Sequence, residues 1–321
     1  MKRLPLLIFS VGLLAACSTG QAGNLGKVPT GPALPPGSSS PAVSQPASTA
    51  QPSSGPSAPS SPSSPAPTVT VTATSPTKGT AGQVGLQTWF TRKGTAQLEL
   101  FVTERTVAAT SSIGTAALDS LLAGPTAAEN SAGLSSQIPA GTQLLGLRIG
   151  SGTATVNLSP SFTSGANSST MPLRIAQVVY TLTQFPTVTG VMFEINGQGA
   201  TVLGGVPVQA PQTAAMYVDK LPAITVQNPA IGEQVTSPVT VSGTANVFEA
   251  VVSVRILDSA GHEIARTFST ASCGTGCRGD YSVPLSYSVT QAEPGTVEVF
   301  ETSPKDGQPV DVQLIPVTLT P

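Results

Sequence analysis

Histidine, charged residues and aromatic residues are all scarce in this chain. Its 321 residues include one histidine, 9% charged residues and 4% aromatic residues. With 14 Lys and Arg against 16 Asp and Glu, the chain lacks the excess of positive charge that is typical of nucleic-acid-binding proteins. The few aromatic rings also disfavour broad platforms for stacking bases or sugars. We therefore expect no nucleic-acid partner.

The same scarcity narrows the catalytic chemistry that the chain can supply. His262 is the single candidate for a histidine base, and it follows Gly261 in a predicted exposed hairpin turn. Neither a Gly-x-Ser-x-Gly elbow nor a Gly-Lys-Ser/Thr phosphate loop occurs. Glu194 lies in an apolar segment, where alternation places it towards solvent rather than in a catalytic role. The sequence therefore predicts no catalytic residue, no metal site and no cofactor, and it leaves any ligand-binding residue unknown.

Long apolar runs are also missing, since a helix needs ~20 apolar residues to cross a bilayer. Residues 4–14 form only a short apolar run, which follows the basic Lys2 and Arg3, as in an export signal. The residues that end this run resemble a bacterial lipobox: Leu14, Ala15, Ala16 and Cys17. The resemblance implies cleavage after residue 16 and lipidation (palmitate) of Cys17 at the outer face of the cell membrane. The alternative is an ordinary secretory signal with an incidental cysteine.

Two further cysteines remain after Cys17 is assigned to the lipid anchor. Cys273 and Cys277 form an even pair in a protein predicted to be exported, where disulfides persist. A disulfide between them is favoured. A zinc site would need distant carboxylates in addition, and a redox role lacks the Cys-x-x-Cys spacing.

A long segment near the N-terminus has almost no capacity to fold. Residues 28–77 carry no charged side chain and consist mostly of Ser, Pro, Ala, Thr, Gly and Gln. Such a composition buries too little apolar surface to offset the loss of chain entropy. We predict a signal peptide at 1–16, and a lipid anchor with a disordered Ser/Pro-rich tether at 17–96.

Mixed periodicity begins near residue 97. Alternation predicts strands at 97–102, 143–149, 153–158 and 188–195, and apolar 3–4 spacing predicts helices at 115–122 and 171–184. The order β-α-β-β-α-β is that of an α+β domain. Several segments in this region resemble the GerMN domain, a module named after the sporulation and germination protein GerM: 117–125, 138–142, 156–159 and 177–186. The resemblance implies an assembly module over 97–205.

Only strands are predicted beyond a linker at 206–222. Seven short alternating segments between 223 and 318 favour an all-β immunoglobulin-like sandwich at 223–319. Residues 238–250 resemble the immunoglobulin-like domain that accompanies spore-germination modules. Within that motif, Glu249 is predicted to be a buried carboxylate that accepts hydrogen bonds from loop amides, and ligand binding is its alternative role.

The sequence thus predicts two folded domains and a tether. We expect a non-enzymatic, lipid-anchored protein of the cell envelope, on the extracytoplasmic face, that binds or assembles with an envelope protein. One alternative is an enzyme or enzyme accessory that acts on peptidoglycan. A second alternative is an extracytoplasmic accessory of a membrane sensor kinase.

Overall fold

The computed structural model describes residues 82–321. The predicted signal peptide, the lipobox with Cys17 and most of the predicted tether lie outside the described residues. Among residues 82–321, no helix combines the length and apolar character needed to cross a bilayer.

The first domain is a mixture of strands and helices whose order extends the predicted one. Its elements are β1 (Gln83–Lys93), β2 (Leu98–Ala108), α1 (Ile113–Leu122), α2 (Ala127–Ser131), β3 (Leu144–Gly150), β4 (Thr153–Leu158), α3 (Met171–Thr183), β5 (Gly190–Ile195), β6 (Gln198–Gly199), β7 (Val202–Leu203) and β8 (Val206–Pro207).

Helix α3 lies at the centre of this domain. β1 and β2 form an antiparallel hairpin on one side of it, and β3, β4, β5 and β6 form a four-stranded sheet on the other. α3 connects β4 to β5, which pair in parallel. Because it is covered from both sides, α3 is buried nearly all round, and even Arg174 and Gln177 are inaccessible.

The predicted start of this domain at residue 97 is wrong. β1 begins at Gln83 and pairs with β2 along its whole length, and Leu86 and Phe90 are fully buried. The last part of the predicted tether is therefore a core strand. The predicted α+β class is unaffected, because the added strand joins the hairpin and leaves the later order unchanged.

The segment 206–222, predicted to be a linker, instead packs on the first domain. Gln212 forms backbone hydrogen bonds with Val191 at 2.8 and 2.9 Å, which extends the sheet beyond β5. Val208 and Tyr217 are buried, and the Tyr217 hydroxyl donates to the Gln212 side chain at 2.6 Å. This segment is thus part of a folded domain.

The second domain is a sandwich of two sheets. Its strands are β9 (Ile224–Asn228), β10 (Gln234–Thr236), β11 (Val239–Ala245), β12 (Val251–Leu257), β13 (Glu263–Thr270), β14 (Gly279–Leu285), β15 (Glu293–Thr302) and β16 (Pro309–Thr320). One sheet has the order β10-β16-β15-β12-β13, and the other has the order β14-β11-β9. All seven predicted strands are present, and the short β10 is additional.

The two domains pack directly against each other. β2 contacts β9, and buried side chains from both sides, such as Phe101 and Val226, belong to one continuous apolar cluster. Residues 82–321 accordingly lie within a single compact unit. The contact places one edge of the hairpin beside β16.

Candidate functional site

A cleft of about 540 Å³ opens where the hairpin meets β16. This volume is within the range of typical ligand pockets, ~300–1,000 Å³. Both domains supply its walls. Residues of the first domain that line it are Arg92, Lys93, Gly94, Thr95, Glu99, Leu100, Phe101, Ser131 and Ala132. The rest of the lining comes from Pro222, Asp311, Val312, Gln313, Leu314 and Pro316.

Arg92, near the end of β1, joins the two walls of the cleft. Its guanidinium donates to the Leu314 carbonyl at 3.2 Å and to the side-chain oxygen of Gln313. It also lies over the Phe101 ring, 4.1 Å from the centroid, in a cation–π contact. Burial lowers the pKa of Arg92 to about 10, and the charge of Glu99 offsets part of that decrease. Arg92 therefore stays protonated at neutral pH and holds the second domain in place.

Two carboxylates line the cleft from different domains. Glu99 lies opposite Arg92 in the hairpin register, and Asp311 comes from β16. Burial and the like charge of Asp311 raise the pKa of Glu99, while Arg92 acts in the opposite direction. Asp311 has a left-handed backbone, with φ of 51°, which few non-glycine residues adopt.

The cleft carries both signs of charge together with apolar side chains. Arg92 and Lys93 supply positive charge, Glu99 and Asp311 supply negative charge, and apolar side chains such as Phe101 lie between them. Within residues 82–321, no cluster of three or more histidine, cysteine or acidic side chains is arranged to hold a metal ion.

The residues that the sequence singled out lie apart from this cleft. Cys273 and Cys277 form a disulfide that closes a loop before β14, with their Cα atoms 5.7 Å apart. His262 is exposed in the turn between β12 and β13, where its ring lies 3.3 Å from Asp258. Glu194 forms an ion pair with Arg148 on the four-stranded sheet.

The predicted role of Glu249 is wrong. Its side chain is exposed, and among residues 82–321 its carboxylate accepts no hydrogen bond from a loop amide. Glu301 performs that role instead, because its carboxylate accepts a hydrogen bond from the Phe248 amide at 3.3 Å. Glu249 therefore faces solvent without a structural task.

Two family models match the chain over these two domains. The model for sporulation and spore germination matches residues 88–201, and the model for the immunoglobulin-like domain of bacterial spore germination matches residues 223–308. The chain carries a GerMN domain and a spore-germination immunoglobulin-like domain. The predicted fold class and both predicted resemblances are thereby confirmed, and the cleft lies between the GerMN domain and the immunoglobulin-like domain.

The solved structures to which this chain is similar include two of GerM from Bacillus subtilis. The tandem GerMN domains are 18% identical, with 42% of this chain and 46% of that chain covered and a TM-score of 0.36. The first GerMN domain is 22% identical, with 41% and 98% covered and a TM-score of 0.33. This chain therefore spans about half the length of the tandem structure.

A third similar structure is that of CopC from Methylosinus trichosporium OB3b. It is 17% identical, with 30% of this chain and 94% of that chain covered and a TM-score of 0.21. Similarities this weak carry nothing about function. Comparison with curated protein sequences gave no match.

Proposed function

We propose that this protein is a non-enzymatic lipoprotein of the cell envelope that binds a partner protein. In this proposal Cys17 carries the lipid and holds the protein on the extracytoplasmic face of the membrane. The presence of a GerMN domain and a spore-germination immunoglobulin-like domain supports a role related to sporulation or germination.

The observation that carries the proposal is the cleft between the two domains. Its walls are fixed to each other by Arg92, so it exists before any partner arrives. A preformed cleft loses little conformational entropy on binding. Its mixed charges and apolar walls match a polypeptide better than a small uniform ligand.

The partner can be tested by crosslinking in living cells. Thr95 lies exposed at the rim of the cleft, so a photo-crosslinking amino acid at this position should form a discrete adduct with an envelope protein. The adduct should disappear in Glu99→Lys, which reverses a charge inside the cleft. The same amino acid at exposed Gln198, in β6, is the control and should form no such adduct. An identical adduct from both positions, or none from Thr95, would contradict the proposal.

Anchoring is tested in the same cells. Wild type should partition into the detergent phase, and Cys17→Ser should partition into the aqueous phase or leave the membrane. Equal membrane association of both forms would show that the anchor is assigned to the wrong residue.

One observation favours a second candidate function, hydrolysis of peptidoglycan. Glu99 and Asp311 bring two carboxylates to one cleft, and the raised pKa of Glu99 suits a proton donor. Under this alternative, purified protein should release soluble fragments from cell wall, and Glu99→Gln should abolish the release. We favour binding because the cleft combines both signs of charge with apolar side chains such as Phe101.

A further inference from the structure

A loop of the immunoglobulin-like domain displays a phenyl ring and a carboxylate side by side. Residues 246–250 connect β11 to β12, and Phe248 and Glu249 are the two consecutive exposed residues within them. Phe248 is 50% exposed, although a phenyl ring is normally buried in a domain of this size. We call this pair the Phe248–Glu249 knob.

The backbone of the knob adopts a conformation that is unfavourable for non-glycine residues. Glu249 has φ 53° and ψ 18°, and Ala250 has φ 58°, so two consecutive non-glycine residues are left-handed. A left-handed backbone is strained at a non-glycine residue and persists only when the surroundings impose it. Strain of this kind concentrates at functional surfaces.

The neighbouring disulfide loop imposes this conformation. The Glu249 amide donates to the Thr275 hydroxyl at 3.1 Å, and the Thr275 amide donates to the Val247 carbonyl at 3.0 Å. The Gly276 amide donates to the Asn246 side chain at 2.9 Å.

Close packing adds to these bonds. Gly274, inside the same disulfide loop, has no room for a side chain, because a Cβ there would lie 2.5 Å from the Ala250 amide nitrogen. The disulfide between Cys273 and Cys277 closes this loop, which packs against the knob and supports its conformation.

The carboxylate of Glu249 is left available by this arrangement. Glu301 accepts the hydrogen bond from the Phe248 amide, so the loop does not need Glu249. Among residues 82–321, no ion pair or side-chain hydrogen bond involves the Glu249 carboxylate. An exposed ring beside an unpaired negative charge, both on a rigid loop, is thus presented to solvent.

We propose that the Phe248–Glu249 knob docks into a partner protein that places a cationic side chain beside an apolar pocket. This inference rests on the proposed function, and it names the chemistry of the partner at a second surface. The phenyl ring fills the pocket, because buried aromatic anchors dominate binding energy at interfaces. Glu249 pairs with the cation, which supplies specificity and speeds association. The rigid loop lowers the entropy lost on docking.

Peptide display supplies a probe of defined chemistry. A library of random peptides is selected for binding to residues 82–321, which lie within one compact unit. We expect the enriched peptides to carry Lys or Arg beside a large apolar residue. Phe248→Ala should weaken their binding about tenfold or more. Glu249→Gly should also weaken it, and higher salt should reduce the difference between this variant and wild type.

The variants are chosen to separate contact from folding. Glycine adopts positive φ freely, so Glu249→Gly removes the carboxylate while its thermal midpoint stays equal to or above that of wild type. Phe268→Ala is the matched control, because Phe268 is 67% exposed on β13 of the same domain. It should change binding less than twofold, within the ordinary effect of a surface substitution.

The outcomes separate this inference from the proposed function. Three results would contradict the proposed docking of the knob. The library could yield no binding peptide, the enriched peptides could lack a cation, or they could bind Phe248→Ala as well as wild type. The crosslink from Thr95 could still form in those cases, and the proposed function would stand. Loss of that crosslink alone, with knob-dependent peptide binding intact, would instead count against the cleft.

Discussion

At the scale of single residues, one buried ion pair ties the hairpin to the short helix α2. Glu129 is almost inaccessible and pairs with Arg105, whose guanidinium also donates to the carbonyls of Ser120 and Gly124 at 2.8 and 3.0 Å. Glu129 forms a capping box with Thr126 at the start of α2 as well. Burial alone would raise the pKa of Glu129. The hydrogen bonds from Arg105 and Thr126 outweigh burial, however, and hold the pKa below 4.5.

Glu129→Gln should therefore lower the free energy of unfolding by about 3 kcal/mol at neutral pH, because Arg105 loses its buried partner. A lowered pKa stabilises the fold above the unfolded pKa, and the contribution is lost as pH falls through the folded value. The difference between wild type and variant should thus shrink below pH 4.5. Denaturant titrations at several pH values measure it.

Glu194→Gln is the matched control for that experiment. Its partner Arg148 is 67% exposed, so the loss should be at most about 1 kcal/mol. Equal losses for the two variants would show that the Arg105–Glu129 pair is not held as the structure describes.

At the scale of elements, the irregular pairing of β9 with β11 depends on one glycine. The register shifts between Ser242 and Gly243, and a Cβ at Gly243 would lie 1.9 Å from the Thr225 carbonyl oxygen. The Thr225 carbonyl belongs to the backbone and cannot move away from such a clash as easily as the end of a flexible side chain. β9 is also the strand that contacts the GerMN domain.

Gly243→Ala should accordingly lower the free energy of unfolding by about 2–3 kcal/mol, since the new methyl group has no space. Gly199→Ala, in β6, is the control, because no atom lies within 4 Å of a Cβ there. We expect its effect to be within about 0.5 kcal/mol. Thermal melts of both variants measure these effects. If Gly243→Ala left the stability unchanged, β9 would be able to shift.

Elements with a visible local pattern were predictable, and elements without one were not. The alternation at 239–245 identified β11, and the spacing of Leu173, Ala176 and Tyr180 identified α3. β1 was not predicted because Thr88, Trp89 and Phe90 are all buried, so buried and exposed residues do not alternate along the strand.

The candidate site depends on contacts that no local pattern records. Glu99 and Asp311 are far apart in the chain and line the same cleft only because the hairpin and β16 come together in the fold. Glu249 lies in the β11–β12 connection and Glu301 lies in β15, so the sequence alone does not show which carboxylate accepts the hydrogen bond from the loop amide.

At the scale of the whole molecule, the structure bears on how the two domains predicted at 97–205 and 223–319 fold. A fragment that begins at residue 97 lacks β1 and with it the buried Leu86 and Phe90. The apolar cluster also continues from one domain into the other. The stability of each domain therefore includes a contribution from its neighbour.

Residues 82–321 should unfold in a single cooperative transition, with equal calorimetric and van't Hoff enthalpies. The fragment 97–205 should show no such transition. Arg92→Ala weakens the contact between the domains, so it should lower the midpoint or split the transition in two. Two separate transitions in the wild-type protein would mean that the domains are independent.

The position of β1 also determines how the protein responds to mechanical force. A load applied to the chain at the N-terminal side of β1 would act at the open end of the hairpin, where Gln83 pairs with Ala108. A load applied there separates the strands one pair at a time, which resists force far less than shearing all pairs together. Arg92 lies at the opposite end of β1, so it is among the last residues to feel the load. The hairpin can thus yield under tension while the cleft beyond it keeps its shape.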